Sequence, residues 1–418
     1  MICPRCRASY EANERYCIKD AASLVERADF DRINTTVGSY RLHDILGRGG
    51  MGTVYRGEHV YIGKPVAVKI LHERFARNED SVHRFLREAR AASSINHPNI
   101  ADVTDFGPTP EGSVYFVMEY IEGEGLEDII AREGPLALHR AINIVIQMSS
   151  ALGRAHEQGI VHRDLKPDNV ILAKRQGRRD LIRAVGPGDD GAMRFSIEPE
   201  QTYDFVKLLD FGIALVQDPR SDAHEAAMAA SGTICGTPEY MSPEAARGGA
   251  IDGRADIYSL GVIFYDMLTA SVPFQAESPM ETLQLHLYQA AQPPRQRRPD
   301  AEITEAAEQL ILRAIEKRPE DRHQTMDELR EDLKRCYGSI AYRRDSLNYA
   351  GARGAGVGPR RSHLTEELSA ALSDPGASAT GIPLLTPIDD AIEWARAPRP
   401  MAAEESGPLL LTQRKPQG

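Results

Sequence analysis

No apolar run in this sequence approaches the roughly 18 to 20 residues needed to cross a bilayer. The best candidate, residues 260–268, is short and carries Tyr265 and Asp266. The start, Met1-Ile2-Cys3-Pro4-Arg5, lacks the apolar core of a secretory signal. The expectation is a soluble, cytoplasmic protein with no membrane partner. Basic residues are not in excess either: 50 Lys and Arg stand against 61 Asp and Glu, a formal net charge of −11. That balance argues against a broad basic face and so against nucleic acid as a partner. Cysteine is scarce, five in 418 residues, too few for a disulfide framework to hold the fold. With 42% hydrophobic and 27% charged residues, an ordinary buried core suffices.

Composition divides the chain. Residues 1–24 contain Cys3, Cys6 and Cys17, and the polar stretch 25–38 reads as a linker. Residues 39–337 have the pattern of a folded domain. Residues 338–418 are rich in Gly, Ala, Pro and Ser and read as a flexible tail, with short helical candidates at 364–372 and 382–394. Within the folded part, Thr53-Val54-Tyr55 and Val66-Ala67-Val68 alternate as strands do, and 81–94 has a helical apolar face built on Phe85, Leu86, Ala89 and Ala92. Another strand is expected at 114–118. Helical patterns dominate after residue 136, at 141–156, 256–268 and 303–315. The fold class is α+β: a small strand-rich lobe with one helix, then a larger helical lobe. Residues 174–203, with Arg175-Gln176-Gly177 and Gly186-Pro187-Gly188, read as a loop-like surface insertion.

The chemistry is concentrated in a few motifs. Gly47-Arg48-Gly49-Gly50-Met51-Gly52-Thr53-Val54 fits G-x-G-x-x-G-x-V, in which glycines let backbone N–H groups approach phosphate oxygens. Alone it fits a dinucleotide-binding turn or a plain glycine hairpin nearly as well. A dinucleotide fold opens a helix at the last glycine, whereas Thr53-Val54-Tyr55 continues as a strand. Lys69 ends the apolar Val66-Ala67-Val68-Lys69, so its ammonium needs a partner, and Glu88 in the following helix offers a carboxylate. His162-Arg163-Asp164-Leu165-Lys166-Pro167-Asp168-Asn169 supplies a carboxylate to orient an acceptor hydroxyl, a cation for migrating charge and a metal ligand. Asp210-Phe211-Gly212, after the apolar stretch 205–209, adds a second oxygen ligand of the kind Mg²⁺ prefers.

Taken together, these motifs resemble the eukaryotic-like (Hanks-type) protein kinases, most closely the bacterial Ser/Thr branch, over about 300 residues from Tyr40 to Tyr337. The resemblance implies that Gly47, Gly49 and Gly52 cover the phosphates of ATP and that Lys69 pairs with Glu88. Asp164 is then the catalytic base, Lys166 steadies the γ-phosphate, and Asn169 and Asp210 hold Mg²⁺. Val54, Ala67, Met118 as gatekeeper, and Glu119 and Ile121 of the hinge would line the nucleotide. Ser242-Pro243-Glu244 stands where the family usually has Ala-Pro-Glu. Its Glu244 would pair with Arg322, and Asp256 would anchor the catalytic loop. Lys166 together with Gly236-Thr237-Pro238-Glu239-Tyr240 implies Ser/Thr rather than Tyr specificity on protein substrates. A scaffold that binds nucleotide without turnover is the competing class, and the complete Asp164, Asn169 and Asp210 set counts against it.

Two expectations concern control. Arg163 precedes the catalytic aspartate, and in related kinases this arginine receives a phosphate on the activation segment, here 210–244. Thr233 is the first candidate and Ser231 the second, phosphorylated in trans through a transient homodimer. Separately, Cys3, Cys6, Cys17 and Asp20 are spaced C-x₂-C-x₁₀-C-x₂-D, which suits tetrahedral Zn²⁺ and resembles the degenerate zinc ribbons on some bacterial kinases. A carboxylate is a less common structural ligand than a thiolate, and a cysteine-bearing leader without metal is the competing reading.

Overall fold

A computed structural model describes residues 1–177, 182–187, 193–197, 201–211 and 237–337, apart from positions 4, 12, 13, 15, 22 and 23. The first lobe is a six-stranded sheet in the order β1-β2-β3-β4-β6-β5. Its members are β1 Thr36–Val37, β2 Tyr40–Arg48, β3 Gly52–His59, β4 Pro65–Leu71, β5 Val103–Pro108 and β6 Val114–Glu119. Antiparallel pairing sets Lys69 opposite Val54 on one side and Phe116 on the other. One face of the sheet buries Leu42, Tyr55, Val68 and Val117. The other packs Leu71, Phe116 and Met118 against Phe85 and Ala89.

Those last two residues belong to a helix. After α1 (Arg27–Asp31) and the single turn α2 (Glu73–Ala76), α3 runs over Glu79–Ser94, opened by Asn78, whose side chain accepts the Ser81 N–H. The bound expected at 81 therefore falls two residues late, because the cap rather than the first apolar residue starts the helix.

The second lobe is helical. Its core is laid down by α4 (Leu126–Glu133) and α5 (Leu138–Glu157), with the helices Gly253–Thr269 and Glu305–Ala314 packed on them. Gly253–Thr269 is buried almost from end to end, which explains the apolar run that is too short for a membrane. Among the described residues no helix is long and apolar enough to cross one.

Two stretches depart from the sequence reading. The polar segment 25–38, expected as a linker, contains α1 and β1; β1 pairs with β2, and Asp29 of α1 is only 7% exposed. Polar composition hid this because the segment is fixed by hydrogen bonds rather than by an apolar stripe: Tyr55 donates its hydroxyl to the Asp29 carbonyl at 3.0 Å. The stretch 174–203, expected as loop, is in good part strand. The short β7 (Glu124–Gly125) joins β8 (Val170–Gly177), whose other edge pairs with β11 (Gln201–Leu208) out to Gly177 and Gln201. Between them β9 (Ile182–Pro187) and β10 (Met193–Ile197) form a second hairpin. Glycine and arginine content suggested a loop, but the cross-strand ladder overrides local propensity. The helical candidates at 364–372 and 382–394 lie outside the described residues.

Candidate active site

The roof of the cleft is the turn between β2 and β3. Gly49 donates its N–H to the Gly52 carbonyl at 2.9 Å, closing the turn. A Cβ on Gly52 would sit 2.5 Å from the Ile70 carbonyl oxygen, so only glycine lets the loop lie flat on β4. Open space lies over Gly47, where a phosphate would approach.

Beneath that turn, Lys69 is 7% exposed and its Nζ lies 2.8 Å from Asp210 Oδ2 and 5.5 Å from the centre of the Phe116 ring. A buried ammonium needs such a partner, and here the pair bridges the two lobes. Glu88 lies on α3, and its side chain, the expected partner of Lys69, lies outside the described residues.

At the back of the cleft, Ala67 is opposite Met118 across β4 and β6, and both are buried. The chain then crosses to the second lobe through Glu119, Ile121 and Gly123. A Cβ on Gly123 would meet Ile171 Cγ2 at 2.6 Å and the Leu172 carbonyl at 2.7 Å, so this crossing also requires glycine. The Glu119 carboxylate is paired with Lys207 and accepts the Asp102 N–H at 3.2 Å. Its side chain is therefore already engaged by two partners.

The floor is the loop 162–169, and it hangs on one buried carboxylate. Asp256, 1% exposed, accepts the N–H of His162 at 2.8 Å and of Arg163 at 2.9 Å, and meets His156 Nε2 at 2.7 Å. Burial alone would raise its pKa, but the His156 hydrogen bond and charge, with His162, hold it below the usual carboxylate range. This anchoring holds Arg163 in the left-handed region at φ 68°. Asp164 follows, its carbonyl accepting from Asn169 Nδ2 at 2.7 Å, and its Oδ2 lies 3.5 Å from Lys166 Nζ. Lys166 also donates to Thr237 Oγ1 at 2.9 Å. The loop is tied to the segment carrying Asp210 by Leu209 N–H to the Asn169 carbonyl at 2.9 Å and by His162 Nε2 to the Leu209 carbonyl at 3.1 Å. Phe211 is buried against the His162 ring at 4.9 Å, which turns Asp210, at φ 42°, toward Lys69.

Lys69, Asp164, Lys166, Asn169 and Asp210 thus form one connected group. Further from the cleft, Glu244 and Arg322 pair through both oxygens at 2.8 Å each. Arg322 additionally donates to the carbonyls of Glu316, Lys317 and Arg254.

Sequence reasoning missed His156, a histidine on a helix whose partner lies 100 residues away, and Lys207, whose place in a strand gave no signal of its partner. Ser231 and Thr233 lie outside the described residues.

A second group sits apart from the cleft. Ligand atoms of Cys3, Cys6, Cys17 and Asp20 all lie within 4.8 Å of one another. Cys6 and Cys17 sulfurs are 3.5 Å apart, and Cys3 Sγ is 3.4 Å from each Asp20 oxygen. Cys3 Sγ accepts the Cys6 N–H and Cys17 Sγ the Lys19 N–H, each at 3.4 Å.

A protein kinase domain model matches residues 40–333, and the chain belongs to that family. Serine/threonine-protein kinase pkn3 of Myxococcus xanthus is 41% identical over 300 residues, covering 72% of this chain and 50% of its own length. Pkn1 of the same organism is 40% identical over 341 residues, 82% of this chain and 42% of its own. PknB of Mycolicibacterium smegmatis is 37% identical over 303 residues, 71% and 43% respectively. The chain therefore spans half or less of the length of these relatives. Among solved structures, the Mycobacterium tuberculosis PknI kinase domain is alike in fold, with a TM-score of 0.51 at 23% identity over 72% of this chain and 97% of that one.

Proposed function

We propose that the chain transfers the γ-phosphate of ATP to serine and threonine hydroxyls of protein substrates. The observation that carries this reading is the connected group Lys69–Asp210–Asn169–Asp164–Lys166 between the lobes. Lys69 reaches the phosphates beneath the glycine turn. Asn169 uses Nδ2 on the Asp164 carbonyl, which leaves its Oδ1, together with the Asp210 carboxylate, as the oxygen ligands that would hold Mg²⁺. Bound there, Mg²⁺ supplies charge neutralisation at the phosphates. Asp164 orients the acceptor hydroxyl and takes its proton as the new oxygen–phosphorus bond forms. The bond to the β-phosphate oxygen breaks and ADP leaves. Lys166 stands where charge migrates during that exchange. Its hydrogen bond to Thr237, together with the names of the relatives, supports serine and threonine as acceptors.

Control is read from Arg163. Its Nη1 is buried with no hydrogen-bond partner among the described residues, a cost that a phosphate oxygen would relieve. Thr233 and then Ser231 are the proposed carriers of that phosphate, transferred to them from ATP in trans between two copies. The cysteine group is proposed to hold Zn²⁺. Zn–S bonds of about 2.3 Å place tetrahedral ligands about 3.8 Å apart, within the range spanned by the 3.4 and 3.5 Å contacts and the 4.8 Å limit of the group, and the two N–H···S bonds suit thiolates. Its apolar content is a small cluster of Cys3, Cys17 and Leu24 with Met1 and Tyr10 against it, plus the buried Ile2 and Val25, too small to fold without such a tie.

Incubation with γ-labelled ATP and Mg²⁺, followed by acid hydrolysis, should yield labelled phosphoserine and phosphothreonine. Label on tyrosine would overturn the assignment, as would undiminished activity in the Ser231→Ala, Thr233→Ala double variant for the activation step.

A further inference from the structure

Between the cysteine group and the sheet runs a short segment whose charges end on the phosphate-covering turn. Val25 is bonded to Ile2 in both directions, at 2.8 and 3.0 Å, which hangs the segment from the metal module. One residue on, Glu26 pairs with the Arg48 guanidinium, and Asp29 Oδ2 lies 3.2 Å from Arg48 Nε. Arg48 stands between Gly47 and Gly49, and among the described residues it has no other ion pair. Partial burial pulls the Glu26 carboxyl upward, but Arg48 outweighs it and holds the group below its ordinary range. Asp29 is itself fixed, buried and bonded through its carbonyl to Tyr55 in β3. The opposite side of the same turn is held by β4 and its exit: His72 donates its N–H to the Met51 carbonyl at 2.9 Å, Arg74 donates to the Gly50 carbonyl at 3.2 Å, and Thr53 Oγ1 meets His72 Nε2 at 3.0 Å.

An isolated surface ion pair would contribute little. This one differs in having a buried carboxylate on a fixed backbone at one end and a glycine turn, with few restraints of its own, at the other. We propose that Glu26 and Asp29 are positioning residues for ATP binding: by holding Arg48 they set the height of the phosphate-covering turn and hence the grip on ATP. The proposal rests on the kinase reading above.

The test measures kcat, KM for ATP and the calorimetric Kd for ATP on the full chain. The variants are Arg48→Gln, the Glu26→Gln, Asp29→Asn pair, and all three changes combined, with Arg48→Lys as the conservative control. The expected result is a rise of about five- to tenfold in both KM and Kd for Arg48→Gln and for the acidic pair. The combined variant should show no further rise, kcat should stay within about twofold, and Arg48→Lys should recover part of the loss. Unchanged KM and Kd in variants that keep the wild-type melting midpoint would overturn the clasp, as would additive effects in the combined variant. If the acidic pair fails to fold, Arg48→Gln decides alone. A wild-type chain that binds ATP but transfers nothing would sink the kinase reading, and the Kd comparison would still judge the clasp.

Discussion

The floor and the roof of the cleft are held by different kinds of contact. The floor hangs on Asp256, which is buried and spends its carboxylate on two backbone N–H groups and a histidine. The buried pair Glu244–Arg322 braces the same lobe. The roof is a glycine turn restrained by Arg48, His72 and Arg74 from the margins, with the Glu26 end of its clasp half exposed. Groups that must meet a reacting hydroxyl within a few tenths of an ångström are fixed by desolvated hydrogen bonds. The turn proposed to cover the nucleotide is held by a mixture: Glu26 and the Arg74 contact are open to water, whereas Asp29 and the His72–Thr53 pair are buried.

Breaking the floor should therefore be costly to the fold. Glu244→Ala leaves Arg322 buried without its carboxylate and should lower stability by about 3 to 5 kcal/mol, read by chemical denaturation; a loss under about 1 kcal/mol would mean that the three remaining donor contacts, to the carbonyls of Glu316, Lys317 and Arg254, suffice. Breaking the link between the lobes should affect activity instead. Lys69→Met removes the cation at Asp210 and should lower kcat/KM by about 10²-fold or more with a near-normal melting curve.

If the cysteine group holds the proposed Zn²⁺, its removal should separate roof from floor. With Mg²⁺ kept in excess, a zinc-selective chelator or Cys6→Ser should speed hydrogen exchange in the segment from Met1 to Asp31, while the exchange of the Gly253–Thr269 helix stays unchanged. Parallel loosening of both would show that the module is part of the global fold.

The junction between the lobes carries a pH signature. His97 receives the Asn99 N–H at Nδ1 and meets Ser150 of α5 at Nε2. Burial, then the charges of Arg330, Lys207 and Arg154, pushes its pKa down to about 4. The folded state therefore binds fewer protons than the unfolded chain between pH of about 6.5 and about 4. Stability from this group is complete above that window and is lost as pH falls through it. The melting midpoint should drop across the window, and His97→Gln should flatten the slope. At the small end, Glu26→Gln alone should change stability by about 0 to 1 kcal/mol while still weakening ATP binding measurably.

Much of the floor could be read from the chain because its chemistry demands particular residue types at short spacing: Asp164, Lys166 and Asn169 lie within six positions, and Asp210-Phe211 announces the second ligand. The cysteine pairs are legible for the same reason. What escaped depends on partners distant in sequence. Nothing near His156 points to Asp256, and nothing in the polar stretch 25–38 indicates that Asp29 is buried by Tyr55. Stretch 174–203 was misread because strand pairing there is set by the ladder between β8 and β11 rather than by its glycines.

The most direct test of the central claim is the initial rate of label transfer from γ-labelled ATP with Mg²⁺, wild type against Asp164→Asn, with ATP affinity measured on the same samples. The account predicts phosphoserine and phosphothreonine in the wild type, a fall of about 10²- to 10⁴-fold in the variant, and equal ATP binding. Equal rates in the two proteins would contradict it.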